Sequence, residues 1–145
     1  MTQKSQPLVL LVEDNPDDAL LALRAFRQCG VAAEVEVVTD GAAALARLSD
    51  QAAPTPDLVL LDIKLPLLSG LEVLRRLRAL GRGAGAPVVV LTTSCEEHDV
   101  AEAYLLGASS YLRKPVDYQQ FSEIVRDLMH YWLELNIPPL PRSGT

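Results

Sequence analysis

The sequence predicts an α/β fold in which helices wind both faces of a five-stranded parallel sheet. Three observations carry that prediction. Apolar runs of strand length alternate with stretches of helical periodicity, the pattern of βαβ crossovers. Four of these runs end on a polar group: Val9-Leu10-Leu11-Val12 on Glu13 and Asp14, residues 58–61 on Asp62, residues 88–91 on Thr92, and residues 110–113 on Lys114. The runs at 8–12 and 58–61 are continuously apolar, as strands buried on both faces are, whereas residues 34–39 alternate like a half-exposed edge. A doubly wound order 2-1-3-4-5 satisfies all three and gathers the polar groups on one rim of the sheet. In open α/β sheets ligands bind outside the carboxyl ends of the strands.

The elements follow in order. A strand over 8–12 leads to a helix over about 16–29, capped by Asn15 with Pro16 at its first position. Leu20, Leu23, Phe26 and Arg27 recur at helical spacing there, and Gly30 ends the run. After the edge strand, Asp40 caps a helix over about 41–50 with Ala44, Leu45 and Leu48 inward. Pro54 and Pro56 break the chain before the central strand at 57–61. Pro66 and Gly70 then punctuate a loop, and Leu71, Val73, Leu74, Leu77 and Leu80 give a third helix. Residues 81–86 form a flexible connector. A strand at 88–92, a helix at about 96–106, a strand at 109–112 and a helix at about 117–135 complete five β-α units. Residues 1–136 thus form one domain, followed by an extended, proline-containing tail at 137–145 and no output domain.

Composition narrows the function classes. At 145 residues the chain suits one domain, able to bury ~70% of its unfolded surface. Hydrophobic residues make up 49% and charged residues 22%, the balance of a globular protein. The net charge of −6 lacks the basic footprint of a nucleic-acid binder. No apolar run reaches the ~20 residues of a membrane span, and residues 1–7 are too polar for a signal peptide; a cytoplasmic location is expected. Two cysteines, Cys29 and Cys95, make no Cys-x-x-Cys motif for zinc or redox chemistry. Cys95 is either a small apolar filler or a redox group near the rim. Residues 81–86 mimic G-x-G-x-x-A, but they follow a helix and precede a strand, the reverse of the dinucleotide context.

Glu13, Asp14 and Asp62 converge if the first and third strands are neighbours. Such hard oxygen ligands suit Mg²⁺, which is held by one or two carboxylates with waters and phosphate completing its shell. Two like charges at ~4 Å repel by ~4 kcal/mol at an effective dielectric of 20, and a divalent ion relieves that repulsion. With the Thr92 hydroxyl and the Lys114 ammonium added, the rim reads as a Mg²⁺ and phosphoryl centre. Alone, Thr92 is a strand filler and Lys114 a solvated lysine before a proline.

The motifs Val12-Glu13-Asp14-Asn15, Leu61-Asp62 with Pro66 and Gly70, Leu91-Thr92-Thr93 and Tyr111-Leu112-Arg113-Lys114-Pro115 together resemble the two-component response regulator receiver domain, the CheY-like variant of the flavodoxin-like fold. Thr92 lies 30 residues after Asp62 and Lys114 a further 22 on, intervals typical of receivers, and the resemblance covers residues 7–135. It implies a phosphoacceptor signalling protein rather than a turnover enzyme. Asp62 would accept phosphate from a histidine kinase, and the protein would assist its own phosphorylation and autodephosphorylation. Glu13, Asp14, Asp62 and the backbone carbonyl of Lys64 would hold Mg²⁺. Lys114 would neutralise the phosphoryl group, Thr92 would bond to it, and Tyr111 would follow Thr92 by changing rotamer. That motion would alter the surface of the fourth helix, fifth strand and fifth helix. The resemblance also implies a cis Lys114–Pro115 bond. The Lys64 side chain either alters autodephosphorylation or points outward. Asp62-Ile63-Lys64 lacks the second aspartate of haloacid dehalogenase-type phosphatases.

Tyr131, Trp132 and Leu135 extend the last helix beyond what a receiver core needs. Aromatic groups are enriched at interfaces, so these residues are expected in a homodimer contact, with packing inside the chain as the alternative. The Leu-Thr-Thr-Ser run, the Tyr-Leu-Arg-Lys-Pro-Val-Asp run and this long helix resemble the stand-alone regulators of phytochrome-type histidine kinases. Two function classes follow: a phosphorylated switch with output by dimerisation or partner docking, or an unphosphorylated interaction module or phosphate sink or shuttle that keeps the same fold.

Overall fold

Five strands pair in parallel in the order β2-β1-β3-β4-β5 in a computed structural model that describes residues 6–81 and 85–139. They are β1 (Leu8–Val12), β2 (Glu34–Val38), β3 (Leu58–Leu61), β4 (Val88–Thr92) and β5 (Ser110–Arg113). Five helices alternate with them: α1 (Pro16–Gln28), α2 (Gly41–Ser49), α3 (Gly70–Ala79), α4 (Glu97–Leu105) and α5 (Tyr118–His130). A π-helical turn over Tyr131–Leu135 continues α5, closed by Asn136 N–H donating to the Tyr131 carbonyl at 2.6 Å.

Strand side chains alternate between faces, and the core divides accordingly. Leu10, Val12, Val59, Leu61, Val88 and Val90 face α2, α3 and α4, where they meet Ala44, Leu74, Leu77 and Ala103. Val9, Leu11, Leu58, Leu60, Val89 and Leu91 face α1 and α5, where they meet Ala22, Ala25, Phe26, Phe121, Val125 and Met129. Burying one Leu or Val of this set contributes about 1.5–3 kcal/mol, which is why β1, β3 and β4 are apolar at nearly every position. Val12 lies opposite Leu61 and Leu61 opposite Val90, so β1 and β3 end level while β4 runs two residues further, to Thr92. The chain leaves β1 toward β2 on one side and β3 on the other, opening a crevice at that rim.

Some boundaries and faces differ from the sequence expectations. Leu20 and Leu80 point to solvent. α1 packs on the sheet through the small Ala22 and Ala25, which allow closer approach than a leucine stripe. β5 covers residues 110–113 rather than 109–112, and the last helix widens at Tyr131 instead of running unchanged to 135. Residues 136–139 have no regular structure. The remainder of the expected tail and part of the 81–86 connector, at 140–145 and 82–84, lie outside the described residues.

Two glycines set the loop after β3. A Cβ on Gly41 would lie 1.7 Å from the Leu68 carbonyl oxygen, and one on Gly70 would lie 2.4 Å from the Asp62 carbonyl oxygen. Gly41 N–H also donates to the Pro66 carbonyl at 3.2 Å, and Gly70 N–H to that of Ile63 at 2.8 Å. The 62–70 loop is therefore pressed between α2 and the start of α3, with Leu67 at a φ of 69° and 81% exposed.

Candidate functional site

The strand termini deliver Glu13, Asp62, Thr92 and Lys114 to one place. Asp62 N–H donates to the Val12 carbonyl at 3.3 Å and Lys114 N–H to that of Thr92 at 2.7 Å, so strand pairing persists into the site. Asp62 is held at both oxygens. Oδ1 accepts from the Thr92 hydroxyl at 2.9 Å and from the Lys64 amide at 3.1 Å, while Oδ2 accepts from Lys114 Nζ at 3.2 Å. Lys114 also donates to Glu13 Oε1 at 2.6 Å, and Glu13 Oε2 accepts from the Asn15 amide at 3.1 Å.

Lys114 makes these contacts from a trans Lys114–Pro115 bond; the described residues contain no cis peptide. The expected cis bond is thus corrected. Trans X–Pro is preferred by ~0.5–1 kcal/mol, and the lysine stem is long enough to reach both carboxylates without the cis geometry.

Carboxylate oxygens of Glu13, Asp14 and Asp62 lie within 4.8 Å of one another. A fourth acid, Asp18, stands 3.6 Å from Lys114 Nζ. Asn15 explains its placement: the Asn15 side chain accepts from the amides of Asp17 and Asp18, starting α1 so that its first turn faces Lys114. Three carboxylates, those of Glu13, Asp18 and Asp62, thus meet one ammonium, with Asp14 beside them. Burial pushes the Glu13 carboxyl above its ordinary range, against the opposing pull of Lys114. Burial pulls Lys114 down, but its hydrogen bond to Glu13 and the charges of Asp62 and Glu13 prevail, leaving the ammonium above the ordinary lysine range. The Glu13 shift reflects its burial, and the Lys114 shift the carboxylates gathered around one ammonium. A cluster of three hard oxygen donors with excess negative charge fits a divalent cation of the Mg²⁺ type.

Thr92 is buried, and its hydroxyl also takes a 3.4 Å contact from the Ser94 amide. Tyr111 does not touch Asp62. Its hydroxyl donates to the Ser94 carbonyl at 2.6 Å, its ring packs against the α2–α4 side of the core, and its amide donates to the Tyr104 hydroxyl at 3.1 Å. Burial raises the Tyr111 phenol above its usual pKa. Lys64 is exposed, and its backbone lies beside Asp62 through the amide bond above. Cys95 is exposed and accepts from Arg113 Nε at 3.3 Å.

The aromatic end of the chain lies apart from this centre. Tyr131 and Leu135 are exposed, whereas Trp132 is half-buried against the α1–α5 side of the core. Tyr131 and Trp132 stack edge to face with centroids 5.0 Å apart. They border a groove lined by Ser110, Leu112, Ile124 and Leu128.

Sequence reasoning missed Asp18, Ser94, Asp99 and Gly41. Among the described residues the buried polar side chains are Glu13, Thr92 and Ser94, and Ser94 Oγ donates to Asp99 Oδ2 at 2.8 Å. The signal for Ser94 was its position two residues past Thr92 at the end of a buried strand. No comparable signal marked Asp18, whose role depends on the rotation of α1.

The comparisons with known proteins agree with this geometry. A family model described as the response regulator receiver domain matches residues 9–126. The probable methanogenesis regulatory protein FilR2 of Methanothrix harundinacea is 40% identical over 137 residues, 92% of this chain and 88% of that protein. Response regulator Rcp1 of Synechocystis is 36% identical over 92% of this chain and 95% of its own length. The crystal structure of its Mn²⁺-bound form matches with a TM-score of 0.83 at 35% identity, over 92% of this chain and 99% of that one. The phosphorylated cyanobacterial phytochrome response regulator RcpA matches with a TM-score of 0.82 at 36% identity, over 94% and 100% of the two chains.

Proposed function

The chain belongs to the response regulator receiver family, and from that premise we propose that it is a switch phosphorylated on Asp62 by a histidine kinase. The observation that carries this reading is the Asp62 carboxylate, held at the end of β3 by a hydroxyl, an amide and an ammonium. An Asp62 oxygen attacks the phosphorus of a phosphohistidine. The P–N bond breaks, its electron pair stays on the imidazole nitrogen, which takes up a proton, and an acyl phosphate forms. Such transfer is mainly a matter of positioning and charge neutralisation.

Glu13, Asp14, Asp62 and the Lys64 carbonyl would hold Mg²⁺, which when bound supplies positive charge to the phosphoryl oxygens. Lys114 turns from the carboxylates to the added phosphoryl group, and the Thr92 hydroxyl moves from Asp62 Oδ1 to a phosphoryl oxygen. Tyr111 then responds through Ser94, changing the surface of α4, β5 and α5. The Mn²⁺-bound form of Rcp1 and the phosphorylated form of RcpA support the ion and the modification. RcpA's description as a phytochrome response regulator supports a phytochrome-type kinase as donor. Output is homodimerisation through the end of α5, with Tyr131, Trp132 and Leu135 at the contact.

Acetyl phosphate with Mg²⁺ is expected to add ~80 Da, the mass of one phosphoryl group, and Asp62→Asn to abolish the gain. An unmodified, folded wild type would leave only an interaction module. Transfer from a phytochrome-type kinase should outpace transfer from a kinase lacking a photoreceptor; equal rates would overturn that pairing. Trp132→Ala should shift sedimentation toward monomer, and a monomeric wild type would overturn the dimer.

A further inference from the structure

We propose that Asp99 is a positioning residue that ties the first turn of α4 to the Asp62–Thr92 pair through Ser94; this rests on the phosphoacceptor reading of Asp62. Ser94 is buried with all three of its polar groups engaged. Its hydroxyl donates to Asp99 Oδ2 at 2.8 Å, its carbonyl accepts from Tyr111 at 2.6 Å, and its amide approaches Thr92 Oγ1 at 3.4 Å. The Thr92 hydroxyl in turn bonds Asp62. A continuous path of hydrogen bonds therefore runs from the acceptor carboxylate to α4, with Tyr111 as a branch.

The local structure of α4 makes this path its anchor. Glu96 occupies the capping position without a side-chain hydrogen bond. Asp99 sits three residues on, where an acidic side chain commonly reaches back to the cap amide; here it reaches to Ser94 instead. Within α4 only Ala103 is buried, so packing holds this helix weakly. Its later turns are fastened to α3 by the Arg75–Glu102 ion pair and by Arg78 donating to the Leu105 carbonyl at 2.6 Å. The first turn has the Asp99–Ser94 bond, with exposed His98 3.3 Å from the other Asp99 oxygen. A displacement of the Thr92 hydroxyl moves the Ser94 amide, and Asp99 carries that motion into the first turn while the far end stays on α3.

The test uses the full chain, Asp99→Ala and Asp99→Asn, with and without Mg²⁺ and beryllofluoride as the phosphoryl mimic. Readouts are hydrogen exchange over residues 94–100 and the beryllofluoride titration midpoint. In wild type, loading should change exchange in that segment. In Asp99→Ala, exchange should be faster by about tenfold before loading, as expected for loss of a charge-assisted bond holding a local unit, and loading should add nothing. The midpoint should stay within about threefold, because Asp99 does not touch the site. Asp99→Asn keeps an acceptor oxygen and should restore the wild-type response. A loading response in Asp99→Ala equal to wild type overturns the proposal, as does unchanged exchange in the unloaded variant. Failure of wild type to bind beryllofluoride overturns the phosphoacceptor reading instead.

Discussion

Replacing Lys114 with methionine removes the ammonium that three acids share while keeping its apolar stem. The lysine side chain is 13% exposed and that of Glu13 is 6% exposed, so the change leaves a buried carboxylate without its partner. Breaking a buried pair in this way costs about 3–5 kcal/mol. Two features reduce that figure. Asp14 and Asp18 are open enough for water to screen them, and Glu13 can take up a proton rather than remain charged. We expect a loss of about 2–4 kcal/mol at pH 7 in metal-free buffer, or a fall in Tm of roughly 5–15 °C for a chain of this size. The loss should shrink toward pH 5 as Glu13 protonates. Glu13→Gln in the Lys114→Met background should recover about 1–2 kcal/mol, measured by urea unfolding as a double-mutant cycle. Additivity of the two substitutions within about 0.5 kcal/mol, with no pH dependence, would refute the shared-charge account.

Four further outcomes are expected. The folded pKa of Glu13 is raised by burial, so metal-free stability falls as pH climbs from the unfolded value of ~4.3 through the folded one; Mg²⁺ should consequently raise Tm more at pH 8 than at pH 5, and Asp14→Asn should blunt the rise. Lys114, also raised, contributes stability below its unfolded value of ~10.4 that is lost as pH passes its folded value, which alkaline unfolding of wild type against Lys114→Met would reveal. Gly41→Ala should destabilise by about 1–3 kcal/mol through its clash with the Leu68 carbonyl, read by thermal unfolding, and a neutral result would mean that the 62–70 loop yields freely. Tyr111→Phe should cost about 0.5–1.5 kcal/mol, read by thermal unfolding, and remove a transition above the ordinary phenol range from an absorbance titration.

Much of the site could be read directly because parallel strands buried on both faces are continuously apolar, so a charged or hydroxyl residue at their end stands out. Asp62, Glu13 and Thr92 were visible for that reason, Lys114 only in company with them because β5 is half-buried, and the strand order followed from the alternation at 34–39. Helix faces were less legible. Leu20 and Leu80 sit at helical spacing yet face water, because Ala22, Ala25 and Leu77 already fill the contact with the sheet. Asp18 and Asp99 depend on which way a helix is rotated against its neighbours, which spacing alone does not determine. The isomer at Lys114–Pro115 is the ordinary trans form, and nothing in the residues around it signalled otherwise.

The Tyr104 hydroxyl that receives the Tyr111 amide has a bearing on association. β5 is a rim strand, and a rim strand with open amides invites another chain to extend the sheet. Here the Tyr111 amide is covered from α4, and the opposite rim, β2, carries Glu34 and Glu36, the latter paired with Arg47. A sheet running through two molecules would have to dislodge Tyr104 at one rim or face carboxylates at the other. Any pairing of two copies would therefore have to go through side chains rather than through extension of the sheet, the route by which a dimer becomes the first two layers of a fibril.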